Sequence, residues 1–214
     1  QNESEFSSSF EAVKREVFKA FADDSVYIEK YIENPRHIEV QIIADKLGNY
    51  AHLFERDCSV QRRHQKIIEE APSYSISRQT REKITHTAIS AAKACEYYNA
   101  GTVEFLLDSK ENFYFLEMNT RLQVEHPVTE QITGIDLVKE QISIASGNKL
   151  TFNQNDLKIN GHAIECRIYA EDPENDFLPA AGIIKEYSIP GGPGVRVDSG
   201  FGKGSEISVF YDPM

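Results

Sequence analysis

Glu104, Glu117 and Asn119 are the residues whose types and spacing most directly suggest chemistry. They lie in TVEFLLDSKENFYFLEMNTRLQVEHP, residues 102–127, which reads as two short strands around a polar turn, then a charged loop. Residues 102–107 and 113–118 are rich in β-branched and aromatic side chains, as strands are, and each run carries one acid. With residues 109–112 as the turn, Leu107 is expected opposite Tyr114 and Glu104 directly opposite Glu117. Like charges facing each other destabilise an antiparallel pair, so the arrangement calls for something positive between the carboxylates. Asn119, two residues on, points to the same face as Glu117. Two carboxylates and an amide oxygen form a hard, all-oxygen set suited to Mg²⁺ that also holds phosphate oxygens. Arg121 and Glu125 follow at once, an acid–base pair beside the expected metal. A single Glu on a hairpin is more often just solvated. Five functional groups within a few residues, alternating with Phe105, Phe115 and Leu116, favour a site.

The elements that must position these groups follow from periodicity and breakers. Phe6, Phe10, Val13, Val17 and Phe21 predict an amphipathic helix over 4–21, with Ser4 as N-cap and Asp23-Asp24 as its stop. Strands are expected over 26–32, 37–43 (Ile38, Val40 and Ile42 inward) and 50–56, the last two joined by a turn at Gly48. Residues 57–66, DCSVQRRHQK, read as a loop crowding Arg62, Arg63, His64 and Lys66. Such a cluster is usually a solvated patch, but in an acidic chain it is also a candidate anion-binding strip. Ser77 opens a helix to about Asn99, with Ile84, Ala88, Ala91 and Cys95 on its apolar side, and Gly101 stops it. After Pro127 come two helical pieces broken near Gly134, the second capped by Asp136 and ended by Gly147. A strand over 162–170 separates His162, Ile164, Cys166 and Ile168 from Ala163, Glu165, Arg167 and Tyr169. Further strands are expected over 182–189 and 195–198. The glycine clusters at 191–194 and 202–205 lack phosphate-loop spacing and read as turns.

At 214 residues the chain can hold one large domain or parts of two. A net charge of −11 argues against a nucleic-acid surface. It leaves nucleotide binding open, since metal ions can offset phosphate charge. Cys58, Cys95 and Cys166 are far apart and lack C-x-x-C spacing, so buried or inert thiols and a reducing compartment are expected. No apolar run reaches membrane length and no signal peptide opens the chain. The expected location is cytoplasmic.

VEFLLDSKENFYFLEMNTRLQVEHPVTE, together with EKYIENPRHIEVQ and ERDCSVQRRHQKIIEEAP, resembles biotin carboxylase of the ATP-grasp superfamily. The likeness runs from about Val26 to the C-terminus and is weaker before it. It implies an α+β fold: a remnant of the ATP-grasp lid over 1–32, then a biotin carboxylase C-terminal/ATP-grasp domain over 33–214, with an antiparallel sheet flanked by helices. The family's N-terminal doubly wound domain and lid lysines have no counterpart here, and FYDPM at 210–214 ends part-way through an element. The chain is therefore expected to be a fragment, inactive by itself.

The resemblance also implies roles. Glu104, Glu117 and Asn119 would hold Mg²⁺ or Mn²⁺, two ions, against the phosphates of ATP. Glu29, Lys30, Tyr31 and Ile32 correspond to the strand beside the adenine, His37 to the ribose contact, and Gln61 and His64 to a nucleotide-facing loop. Bicarbonate would be held by Arg121, Lys66 and the Val124 N–H, with Glu125 as general base. Arg167 would steady the enolate of biotin, which is carried by a partner domain. A biotin carboxyl carrier protein or domain, a carboxyltransferase and a second copy in a homodimer are the implied partners, and the mitochondrial matrix is an alternative location. Two other readings stay open: another ATP-grasp ligase joining a carboxylate to an amine or thiol, and a non-catalytic scaffold. The first has no reason to combine RRHQK with Arg121, Glu125 and Arg167.

Overall fold

The structure, a computed structural model, describes residues 3–208. FYDPM lies outside the described residues. Those described fall into two compact units divided between Asn34 and Pro35. The first holds helix α1, Glu3–Phe21, which begins one residue earlier than expected and so takes Ser4 inside rather than as its cap. Phe6 and Phe10 stack with ring centroids 5.7 Å apart, while Phe6, Val13 and Phe21 remain exposed. Residues 26–32 form no strand. A strand exists by pairing its backbone, and this unit has no second extended segment to pair with among the described residues.

In the second unit the alternation of Ile38, Val40 and Ile42 with Glu39, Gln41 and Ile43 produces strand β1, Arg36–Ala44, buried on both faces. The turn at Gly48 (φ 86°) leads into β2, Tyr50–Arg62. β2 runs through the stretch expected to be a loop, turns at Arg63-His64 and returns as β3, Gln65–Ala71. The turn was hidden because its two central residues take left-handed backbone (φ 52° and 65°) without a Gly or Asn to announce it. Helix α2, Arg78–Ala94, starts under the Ser77 cap but ends before the expected Asn99, which instead opens β4, Asn99–Leu107. Gly101 thus lies inside β4. A Cβ there would meet the Tyr97 ring at 2.8 Å. β5, Phe113–Asn119, completes the hairpin. Helices α3, His126–Thr133, and α4, Leu137–Ala145, follow, with Asp136 capping the second.

The predicted strand over 162–170 shortens to β6, Ala163–Cys166. The two-residue strands β7, Glu171–Asp172, β8, Leu178–Pro179, β9, Gly182–Ile183, and β10, Glu206–Ile207, replace the longer ones expected near the C-terminus. Both glycine clusters make turns, closed by Val195 N–H to the Gly192 carbonyl and Ser205 N–H to the Gly202 carbonyl. Cys58 is buried, but Cys95 and Cys166 are exposed, contrary to the placing of Cys95 on the apolar side of α2.

The main sheet is antiparallel in the order β5-β4-β1-β2-β3-β6. One face packs Ile38, Val40, Ile42, Val103, Phe105 and Leu107 against Ile84, Ala88 and Ala92 of α2. On the other, Ile43 and Leu53 meet Leu137 and Ile144 of α4, and Ala71 meets Val128 and Ile132 of α3. Each fully buried aliphatic or aromatic side chain contributes about 1.5–3 kcal/mol relative to exposure. That packing makes affordable a line of buried charges on the α3 side. Among the described residues, no helix is long and apolar enough to cross a membrane.

Candidate active site

Register across four strands aligns one row of charged residues. Glu117 on β5 faces Glu104 on β4, Glu104 faces Glu39 on β1, and Glu39 faces Arg56 on β2. The hairpin reaches this pairing by a route the sequence did not suggest. Leu107 is opposite Phe113, not Tyr114, and an irregularity between Glu104 and Phe105 then leaves Leu116 unpaired. That bulge restores Glu104 to Glu117. Three acids in neighbouring strands would repel one another unless cations lie among them.

Two do. The Lys66 ammonium, from β3, donates to Glu39 Oε2 at 2.5 Å, Glu125 Oε1 at 2.7 Å and Glu104 Oε1 at 2.9 Å. Arg56 is fully buried, and each of its nitrogens is bonded. Nε donates to Glu39 Oε1 at 2.5 Å, Nη1 to Gln41 at 2.7 Å and Thr129 at 2.9 Å, and Nη2 to Thr102 and Gln123 at 3.2 Å each. Arg167, just beyond β6, joins from the far side through Glu69 Oε1 at 2.7 Å and Glu125 Oε2 at 2.9 Å. Glu125, the residue before α3, is therefore held between Lys66 and Arg167.

Glu104 is the most heavily bonded acid of the row. His37 Nε2 lies 2.6 Å away, Gln123 Nε2 2.7 Å and Asn119 Nδ2 3.0 Å, besides Lys66. Gln61 Nε2 sits 3.2 Å from His37 Nδ1. With the Gln61 amide donating, Nδ1 is the acceptor, an arrangement compatible with a proton on Nε2 facing Glu104. Burial alone would raise the Glu104 pKa, but the bonds from His37 and Lys66 outweigh it and hold the carboxyl at about 2. Burial opposes the charge on Lys66 as well, and Glu39, with Glu125 and Glu104, more than restores it. For Arg167 the same opposition is overcome by Glu69 and Glu125.

The Asn119 amide bridges Glu104 and Glu117, 3.0 Å to each, through its NH₂ group rather than the oxygen expected for a metal ligand. Rotation about the last side-chain torsion exchanges the two ends. An ionised Glu104, a solvent-open Glu117 and an amide reaching both fit a hard divalent ion. His37, Glu39 and Glu104 also offer ligand atoms within 4.8 Å of one another, but there the Lys66 ammonium already supplies the positive charge.

Thus Lys66, Glu104, Glu117, Asn119, Glu125, Arg167, His37 and Gln61 are linked in one network. Arg121 and His64, expected in the same cleft, are not: Arg121 is exposed and bonded to the Leu122 carbonyl at 3.3 Å, and His64 is exposed at the β2–β3 turn. Val124 is exposed beside Glu125. Glu29, Lys30 and Tyr31 are exposed and Ile32 buried, all in the first unit. Arg62 and Arg63 of the supposed patch are ion-paired to Glu171 and Asp176. The sequence reading missed Glu39, Gln41, Arg56, Glu69 and Gln123. Its one available signal was the polar alternation of Glu39 and Gln41 within an otherwise apolar strand.

Such a row, with acids for a cation and cations for an anion, belongs to an ATP-binding class of domain. Residues 1–153 match the family described as carbamoyl-phosphate synthase L chain, ATP binding domain, and residues 165–214 match the biotin carboxylase C-terminal domain. The chain belongs to the biotin carboxylase family. It is 58% identical to biotin carboxylase 2 of Bacillus subtilis, covering 100% of this chain and 48% of that protein. It is 54% identical to the mitochondrial methylcrotonoyl-CoA carboxylase subunit alpha of Mus musculus, covering 100% of this chain and 30% of that protein. Among solved structures it resembles the biotin carboxylase–β-γ-ATP complex of Campylobacter jejuni (TM-score 0.95, 49% identity, 100% of this chain and 47% of that one). It also resembles the biotin carboxylase domain dimer of the Hydrogenobacter thermophilus 2-oxoglutarate carboxylase, in complex with MgADP, ADP and bicarbonate (TM-score 0.94, 52% identity, 99% of this chain and 47% of that one). The chain spans about half the length of these relatives or less.

Proposed function

We propose that this chain supplies the metal, bicarbonate and biotin-facing part of an ATP-dependent biotin carboxylase. The observation that carries the reading is Glu125 bonded on one oxygen to Lys66 and on the other to Arg167, beside the Glu104–Asn119–Glu117 bridge. One carboxylate thereby touches both cations assigned to the reacting anion, next to the assigned metal ligands. A ligase using a carboxylate and an amine would need the metal ligands but not this clamp.

In this reading Glu104, Glu117 and Asn119 hold Mg²⁺ or Mn²⁺, whose chemistry is to neutralise the phosphates of ATP. His37, Gln61 and His64 contact the nucleotide. Bicarbonate, an anion, draws Lys66 away from its carboxylates and binds with Arg121 and the Val124 N–H. Glu125 takes the bicarbonate proton as its oxygen attacks the γ-phosphorus, giving carboxyphosphate and ADP. Carboxyphosphate breaks down to CO₂ and phosphate, phosphate takes the biotin N1′ proton, and Arg167 steadies the enolate oxygen. The biotin comes on a carrier protein or domain, and a carboxyltransferase uses the product. The proposal extends to a homodimeric parent in cytoplasm or mitochondrial matrix, supported by the dimer of the Hydrogenobacter thermophilus domain and by the mitochondrial relatives.

The test is phosphate release from ATP by the full-length carboxylase, with bicarbonate varied. Lys66→Met should lower bicarbonate-dependent turnover by roughly 10²–10³, as for loss of one electrostatic donor, and raise KM for bicarbonate while sparing that for ATP. A variant with unchanged bicarbonate dependence would remove Lys66 from the anion site.

A further inference from the structure

Glu69 and Glu165 are two carboxylates for which the scheme above has no use. They sit directly opposite each other across the β3–β6 pairing, on the face that carries Arg167. Glu69 is fully buried. Its Oε1 accepts from Arg167 Nε, while the Oε2 atoms of both Glu69 and Glu165 are closed off from solvent and unpartnered. Two facing carboxylates, Glu69 fully buried and Glu165 half-buried with its Oε2 shielded, cannot both stay ionised cheaply. We propose that Glu69 and Glu165 share one proton between their inner oxygens, and that this protonated pair is the positioning device for Arg167.

Charge supports it. Three cations, Arg56, Lys66 and Arg167, face five carboxylates, Glu39, Glu69, Glu104, Glu125 and Glu165. Glu165 feels Glu69 from β3, Glu125 from the start of α3, Arg167 from its own segment and Arg56 from β2. Glu69 feels Arg167, Glu125 and Glu39. Burial first, and then Glu69, pushes the Glu165 carboxyl up to about 8 despite Arg167. With the proton on Glu165, Glu69 remains the anion that fixes Arg167 Nε, and Arg167 Nη2 reaches Glu125. When the proton leaves to water, Glu165 becomes a second anion beside Arg167 and draws the guanidinium from Glu125. Because the folded carboxyl titrates above its unfolded value, the stability it contributes is complete below about 4.5 and is lost as pH rises through about 8. The inference rests on the proposed function only for what Arg167 does, and its test needs no catalysis.

The experiment is a pH titration of the full chain labelled at glutamate Cδ and arginine Nε, read by NMR. The Glu165 resonance should move with a midpoint near 8, and the Arg167 Nε–H signal should move with it. Glu165→Gln, a permanent mimic of the protonated side chain, should keep the Arg167 signal at its low-pH position between about pH 6 and 9. Glu69→Gln removes the like charge, so the Glu165 midpoint should fall by at least about one pH unit. If Glu165→Gln does not fold, the wild-type titration and Glu69→Gln still decide. A Glu165 midpoint in the ordinary range near about 4, an Arg167 signal indifferent to pH, or an unchanged midpoint in Glu69→Gln would each overturn the proposal.

Discussion

Replacing Arg56 by Met keeps most of the side-chain volume and removes the charge that anchors the row. The wild-type guanidinium donates to Glu39, Gln41, Thr129, Thr102 and Gln123 with no exposure to solvent. After substitution Glu39 keeps only Lys66, which it shares with Glu104 and Glu125. Removing one partner of a buried ion pair costs about 3–5 kcal/mol. The Thr hydroxyls can reorient, but Gln41 Oε1 and Gln123 Oε1 lose a buried donor, at about 1–3 kcal/mol each before relaxation. These losses overlap, so the expected total is about 5 kcal/mol. At about 2–4 °C per kcal/mol for a body of this size, Tm should fall by roughly 10–20 °C. Urea unfolding with a two-state fit and calorimetry would measure it. The double variant Arg56→Met/Glu39→Gln should recover part of the loss, since the stranded anion is gone. A loss below about 1 kcal/mol in Arg56→Met would refute the view that this guanidinium offsets the row of acids.

Acid should probe Glu104 directly: its folded pKa of about 2 lies below the ordinary 4.5, so its stabilisation is complete above that range and is lost as pH falls through about 2. Glu104→Gln should flatten that limb of stability against pH, and an unchanged acid limb would contradict the assignment. Burial holds His52 neutral, at about 4 against 6.5, so the unfolded chain takes up its proton first and stability should drop as pH falls from 6.5 to 4. His52→Gln should remove the drop, as followed by Tm at fixed pH. Glu117→Gln should weaken Mn²⁺ binding, read by electron paramagnetic resonance in the presence of ATP, without lowering Tm by more than a few degrees, because the Glu117 side chain is exposed and, among the described residues, bonded to Asn119 alone.

Local pattern carried the reading as far as local pattern reaches. The 102–118 hairpin, the Ser77 and Asp136 caps and the break at Gly134 came from residue types whose backbone needs are specific. The meeting of Glu104 with Glu117 was legible, but not the bulge at Leu116 that produces it, because bulges depend on the partner strand. The β2–β3 turn escaped notice because Arg63 and His64 occupy left-handed positions that Gly or Asn normally mark. Arg56 and Glu39 escaped for a different reason. A buried Arg looks like a surface Arg until the register of β1, β2 and β4 brings Glu39, Gln41 and Thr102 to it, and Thr129 of α3 and Gln123 close the other two bonds. The strands expected over 162–170 and 182–189 were overextended: Ile168 and Ile189, apolar by type, are exposed beyond the ends of β6 and β9.

The central claim, that Glu125 is the base for bicarbonate within the Lys66–Arg167 clamp, is tested most directly by Glu125→Gln in the full-length carboxylase. ATP cleavage is measured with and without biotin, each at varied bicarbonate. The amide keeps the shape and removes the base, so bicarbonate-dependent cleavage should fall by about 10²–10⁴ with little change in KM for ATP. Arg121→Ala, assayed alongside, should instead weaken bicarbonate binding and leave some ATP cleavage uncoupled from biotin. Near-normal turnover in Glu125→Gln would contradict the account and leave Glu125 as an ion-pair partner of Lys66 and Arg167.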